Sequence, residues 1–212
     1  MSDDLAARRE QYREHGFTRA ELSTDPFTQF QRWFHDWLAT GPYDATAVSL
    51  ATADADGRPS LRVVLLKGVD HGFVFFTNQE SRKGADLAAN PYAALCCGWI
   101  DVQRQVRVTG RVEVVSTAEA DAYFATRPRG SQLAAWASDQ TQPIADRGAL
   151  EDRFADAELR YADQPVPRPP YWGGYRLIPD EFEFWQGRAN RMHDRCRYRR
   201  DGDAWATDRL MP

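Results

Sequence analysis

Positions 184–195 hold Trp185, Gln186, three arginines (Arg188, Arg191 and Arg195) and His193. A solvent-facing strand has no need of that set. A site for a flat, phosphorylated heteroaromatic molecule does, because arginine forks bind phosphate bidentately and stack on planar rings. His193 alone reads as structural. Beside Arg191 and Arg195 at alternate positions it can share their face, and flanking arginines favour its neutral, proton-accepting form. Trp185 taken alone reads as core.

Similar clusters recur upstream. Arg62 and Lys67 bracket Val63, Val64, Leu65 and Leu66. Five residues apart on a regular strand, the two cations point to opposite faces. That is either a core strand with solvated ends or a strand crossing a site and serving two phosphates. Arg82 and Lys83 open a short helix after Phe76, Thr77 and Ser81. Cations there oppose the helix dipole, a small cost that makes sense if an anion is bound. Arg104, Gln105 and Arg107 lie on an alternating strand, where Gln105 suits an imide-like ring edge and a polar outer face is the bland alternative. Tyr123, Arg127 and Ser131 are three compatible phosphate donors around a helix end, and Gln140 and Thr141 add an amide and a hydroxyl in a turn.

Bulk composition limits the partners. The 212 residues carry 27 basic and 31 acidic side chains, a net charge of −4, which argues against nucleic acid. Hydrophobic residues make up 42% and aromatics 12%, so the chain reads as one globular domain over 1–212, with 1–16 as a mobile leading segment. Three cysteines (Cys96, Cys97 and Cys196) without CxxC spacing suit a reducing cytoplasm. The four histidines lack metal-ligand spacing, no apolar run approaches the ~20 residues of a membrane span, and the polar start carries no secretory signal. Neither a GxxxxGK[ST] loop nor a GxGxxG turn is present, and no nucleophile elbow supports a hydrolase.

The elements that must position these residues are mostly strands. Residues 2–15 show weak helical periodicity. Asp25 as N-cap and Pro26 at the first position open a helix that Gly41-Pro42 stops. Strands are expected at 46–53, 60–67, 72–77, 93–100 and 104–115, with a short helix at 81–89. Helices follow at 117–126, with Thr117 starting an incomplete capping box, and at 147–161. A proline-rich connector at 164–171 leads to strands at 175–178, 181–186, 195–199 and 205–210, the last two joined by an Asp201-Gly202 hairpin turn. The class is mainly β (α+β), an antiparallel sheet or barrel.

Taken in order, residues 62–67, 72–78, 81–83, 104–106, 123–124 with 127–129 and 131–132, 172–175, 183–187, 191–195 and 205–212 resemble the pyridoxamine 5′-phosphate oxidases. These are FMN enzymes that complete pyridoxal 5′-phosphate (vitamin B6) synthesis and salvage. The long C-terminal motif is specific, the short basic ones only in combination. The resemblance runs from about Phe17 to the last residue. It implies an FMN-binding split β-barrel with flanking helices, working as a homodimer with FMN at the subunit interface. Carried over by position, the FMN set is Arg62, Val63, Val64, Leu65, Leu66, Lys67, Phe76, Thr77, Arg82, Lys83, Gln105, Gln140, Thr141, Trp185 and Arg195. Lys67, Tyr123, Arg127 and Ser131 correspond to the clamp on the substrate phosphate. Arg191 and His193 correspond to the catalytic pair at the pyridine ring and reacting carbon. The implied reaction oxidises pyridoxamine or pyridoxine 5′-phosphate at the 4′ carbon, with O2 as acceptor and H2O2 as product, and without metal, nucleic acid or membrane. Phe76 stands where Tyr is also seen, Thr141 where Ser is usual, and Met192 replaces Leu. The alternatives are a split-barrel oxidase acting on a phenazine precursor and a non-catalytic binder of FMN or pyridoxal phosphate.

Overall fold

The computed structural model describes Tyr12 and residues 16–212. The helix expected over 2–15 therefore lies outside the described residues, Tyr12 excepted. The helices are α1 (Pro26–Ala39), α2 (Arg82–Ala89), α3 (Thr117–Thr126), α4 (Arg129–Ala137) and α5 (Arg147–Arg160). The strands are β1 (Ala47–Ala53), β2 (Pro59–Val69), β3 (Phe73–Asn78), β4 (Tyr92–Trp99), β5 (Arg104–Val114), β6 (Trp172–Gln186), β7 (Asp194–Asp201) and β8 (Ala204–Arg209). They run in the order β3-β2-β1-β4-β5-β6-β7-β8, and the pairing of β3 with β6 closes the first six into the split barrel. Two compact units can be distinguished: residues up to Ser49 with Ala94–Thr109 and Pro179–Pro212, and Leu50–Ala93 with Gly110–Ile178.

In the first unit, α1 begins as its sequence dictates. The Asp25 carboxylate accepts from the amides of Phe27 and Thr28, and Pro26 occupies a position whose N–H would be unpaired anyway. Loss of that cap costs about 1 kcal/mol. The apolar face of α1 buries Phe30 and Trp33. Trp33 meets Phe184 edge-on at 5.3 Å, and Phe30 meets Trp99 at 5.7 Å. β7 and β8 form a hairpin around Gly202, whose φ of +62° suits a residue without Cβ.

The second unit carries β2, β3, α2 and the helices α3–α5. β3 is buried almost throughout and pairs with β6 from Phe73↔Leu177 to Asn78↔Trp172. Ser116 rather than Thr117 caps α3: its hydroxyl accepts from the Glu119 amide. The residues after Pro128 form α4, because proline at a helix entry loses no hydrogen bond the helix needs. The strands expected at 175–178 and 181–186 are one strand, β6. It tolerates Pro179 because the strand leaves β3 after Leu177 and takes up β7 from Glu181, so no partner on that side needs the missing N–H.

Candidate active site

The second unit contains a cavity of about 730 Å³, the size of a cofactor site. β2 supplies one wall with Arg62, Val63, Val64, Leu65 and Lys67. Leu66 is buried and does not line it. Burial alternates along β2: Arg62 and Val64 are half-buried, while Val63, Leu65 and Lys67 are exposed. The two cations thus occupy opposite faces of the strand, and both reach the cavity.

A basic cradle lies where β3 turns into α2. Lys83 is 6% exposed, and its Nζ donates to Thr77 Oγ1 (3.0 Å), Ser81 Oγ (3.0 Å) and Gln140 Oε1 (2.6 Å). A Cβ at Gly84 would collide with the Gln79 carbonyl, so glycine lets the 78–81 turn fold tightly against the helix that presents Lys83. Arg62 Nη1 donates to Thr52 Oγ1 (2.7 Å) and the Leu50 carbonyl (3.2 Å), and its Nη2 lies 3.7 Å from the buried Asp86 carboxylate. Thr52 in turn donates to Asp86 at 2.6 Å. The Arg82 amide donates to Thr141 Oγ1 at 3.0 Å. Thr141 sits at φ +73°, a strained conformation for a β-branched residue and of the kind functional sites retain. Of the three cations, Arg62 pairs with a carboxylate, Asp86, while Arg82 and Lys83 pair with none among the described residues, so the cradle is two charges short of neutral. Burial, and then the Arg62 charge, push the Lys83 amine down to about 8. A phosphate dianion supplies the missing two charges, and the positive end of the α2 dipole favours it there.

A second group lies along the same cavity. Phe76 and Tyr123 stack at 4.1 Å, and both rings run parallel to Trp172. Arg127 caps the C-terminal end of α3. Its Nη1 is buried without a hydrogen-bond partner among the described residues. A buried guanidinium nitrogen left unpaired is costly, which marks it as a donor awaiting an acceptor. Burial pushes the Tyr123 phenol up, against the pull of Arg127, so it remains a neutral donor. Ser131 is half-buried in the first turn of α4 and is not among the cavity-lining residues.

Gln105, Trp185, Arg191, His193 and Arg195 belong to the first unit. The His193 ring lies 4.7 Å from Trp185. Its Nδ1 accepts from the Arg188 amide at 3.1 Å, which leaves the ring proton of the neutral form on Nε2. Burial, and then the Arg191 charge, lower the His193 pKa, so neutral imidazole is the form held near neutrality. Arg191 follows Asn190 in a turn where both adopt positive φ, so it lies outside the β7 strand that carries Arg195. Tyr12 packs edge-on against both Trp185 (5.8 Å) and His193 (5.6 Å). Gln105 is half-buried on β5.

Several positioning groups escape sequence reasoning. Buried Glu183 accepts from Arg195 Nε at 2.8 Å and pairs with Arg107 Nη2 at 3.2 Å. Buried Asp194 holds Arg188 (2.9 Å) and Arg209. Arg188, counted above for its side chain, orients His193 through its backbone amide. Arg104, grouped there with Gln105 and Arg107, is committed elsewhere. It lies 4.5 Å over Trp33 and bonds Gln186 and Asp36. Only the acidic or amide character of the partners was visible, since their pairing depends on strand register. Among the described residues no cluster of His, Cys, Asp and Glu is arranged to hold a metal, and no helix is long and apolar enough to cross a membrane.

This geometry agrees with what the chain is similar to. Residues 35–161 match the family described as pyridoxamine 5′-phosphate oxidase, and residues 172–212 match the pyridoxine 5′-phosphate oxidase C-terminal dimerisation region. The pyridoxine/pyridoxamine 5′-phosphate oxidase of Burkholderia multivorans is 54% identical over 212 residues, covering 98% of this chain and 99% of that protein. The protein of the same name from Rubrobacter xylanophilus is 53% identical over 210 residues, covering 99% and 97%. Among solved structures, PhzG from Burkholderia lata, in complex with tetrahydrophenazine-1-carboxylic acid, has a TM-score of 0.86 at 33% identity, covering 91% of this chain and 95% of that one. A pyridoxamine 5′-phosphate oxidase-related, FMN-binding protein from Nostoc punctiforme shares the fold at a TM-score of 0.71 and 19% identity, covering 90% and 100%. With the phosphate-ready cavity, the split barrel and both halves of the chain matched, this chain belongs to the pyridoxamine 5′-phosphate oxidase family.

Proposed function

We propose that the protein is an FMN-dependent oxidase that converts pyridoxine or pyridoxamine 5′-phosphate to pyridoxal 5′-phosphate, with O2 as acceptor. One observation carries the reading: a single cavity holds two separate phosphate-seeking groups. The Arg62–Arg82–Lys83 cradle lacks two negative charges, and Arg127 holds a buried, unpaired donor. A phosphorylated cofactor and a phosphorylated substrate need both.

The donor set fits FMN. Arg62, Arg82 and Lys83 at the N-terminal end of α2 take its phosphate, and Val63, Val64, Leu65 and the Leu66 backbone flank the rest, with Phe76, Thr77, Gln140 and Thr141 opposite. Gln105, Trp185 and Arg195 complete the set. Bound FMN would supply a two-electron acceptor for the 4′ carbon, with O2 reduced to H2O2 and, for the amine, ammonia released by hydrolysis.

The protein's own residues bind and orient. Lys67, Tyr123, Arg127 and Ser131 anchor the substrate phosphate, using remote binding energy to align the reacting carbon. Arg191 covers the pyridine ring. His193, its Nδ1 occupied by the Arg188 amide, exchanges protons through Nε2. The working form is a homodimer whose site draws on both chains, as the match of residues 172–212 to a dimerisation region supports. The chain acts as one FMN-binding domain, and its three free thiols suit the cytoplasm.

The similarity to PhzG favours a second reading, oxidation of an unphosphorylated tricyclic carboxylic acid. Such a substrate leaves the Arg127 clamp without a task. The test is aerobic turnover of FMN-reconstituted protein on both substrate types. Equal amounts of pyridoxal 5′-phosphate and peroxide are expected from pyridoxine 5′-phosphate. Oxidation of a tetrahydrophenazine carboxylate with no turnover of the pyridoxine ester would replace the first reading by the second.

A further inference from the structure

We propose that Trp172 is a positioning residue for the substrate phosphate: its ring face holds the Arg127 guanidinium so that the guanidinium's donors stay available. This rests on the clamp assigned under the proposed function, and it names a residue outside that clamp.

The arginines of this protein are mostly held by carboxylates, as Arg195 is by Glu183 and Arg176 by Asp70 and Glu119. Arg127 is held differently. Its Cζ lies 4.7 Å over the Trp172 ring and 5.4 Å over Phe124, and no carboxylate pairs with it among the described residues. The distinction has a chemical consequence. A carboxylate would neutralise the guanidinium and occupy the donors that a phosphate needs. An aromatic face attracts the cation through its quadrupole and leaves all five N–H groups available. The buried, unpartnered Nη1 is what such an arrangement leaves behind.

Trp172 is itself fixed on all sides. It is 6% exposed and lies parallel to Phe76 at 5.6 Å and Tyr123 at 6.1 Å, with Phe124 edge-on at 5.0 Å. Its amide donates to the Pro169 carbonyl, and its own carbonyl accepts from Arg168, which also bonds Asp121 on α3. The helix that carries Tyr123 and ends at Arg127 is thereby tied to the tryptophan beneath them. The same ring stack reaches Phe76 in the cofactor set, so one aromatic cluster sets the spacing of both phosphate groups.

The experiment uses FMN-loaded protein with Trp172→Phe, and 172-specific fluorinated tryptophans that weaken the ring face while keeping its shape. Expected is a rise in KM for pyridoxine 5′-phosphate of about three- to tenfold, graded with fluorination. The inhibition constant of inorganic phosphate should rise in parallel, with kcat nearly constant. Arg127→Lys serves as the reference. If Arg127→Lys raises KM while the whole Trp172 series leaves KM and phosphate inhibition unchanged, the positioning role is overturned and the clamp stands. If Arg127→Lys also leaves KM unchanged, the clamp itself falls and the proposal with it.

Discussion

Cofactor affinity should fall about tenfold between pH 7 and pH 9, and Lys83 should be the cause. The empty cradle resists the charge on Lys83, so its amine titrates near 8 instead of its ordinary 10.5. The penalty for that buried charge amounts to roughly 3 kcal/mol. It is fully present below pH 8 and vanishes as the pH rises from 8 to 10.5, so the cofactor-free protein gains stability across that window. A bound phosphate ester is already a dianion above pH 7, and it keeps Lys83 protonated. Binding then weakens in proportion to the fraction of empty cradle that carries the proton. That fraction falls from about nine-tenths at pH 7 to about one-tenth at pH 9. Quenching of flavin fluorescence on titration with protein reads the Kd directly. Lys83→Met should weaken binding by about 30-fold or more at pH 7 and abolish the slope, because it removes the titrating amine. A flat wild-type profile, or an unaltered slope in Lys83→Met, would refute the reasoning.

Other substitutions separate the remaining roles. Arg127→Ala removes a charged donor to phosphate and should raise KM for pyridoxine 5′-phosphate about 10- to 100-fold with FMN still bound; steady-state kinetics beside flavin titration decide it. Arg191→Ala should slow turnover while the flavin stays in place, and loss of flavin with turnover restored on reconstitution would remove Arg191 from the ring. Glu183→Gln strips the charge that holds both Arg107 and Arg195 and should cost about 2 kcal/mol in urea unfolding. A change within ~0.5 kcal/mol, the range of ordinary surface substitutions, would mean that the pair is solvated.

Local signals carried much of the fold. Asp25-Pro26 and the alternation on β5 work over a few residues, and both elements form where those signals lie. α4 was hidden because Pro128 reads as a break, whereas at a helix entry it costs nothing. Pro179 divided β6 in the sequence, since a change of strand partner beside a proline has no local mark. In the site, the basic residues were legible because arginine and lysine at loop and helix starts stand out in an acidic chain. Their carboxylates were not. Asp86 lies 24 positions from Arg62, and Glu183 faces Arg107 only once the sheet register is set. Trp172 is buried in the core, and that it also carries a cation depends on where α3 ends, which residues 172–175 alone do not reveal.

The account rests on two phosphate groups in one cavity, each served by its own cations. Phosphorus NMR of the FMN-loaded protein with pyridoxal 5′-phosphate counts them. Two bound resonances are predicted, one per ligand, with Lys83→Met perturbing the FMN signal and Arg127→Ala the pyridoxal phosphate signal. A single bound resonance, or loss of the FMN signal on Arg127→Ala with the other retained, would contradict it.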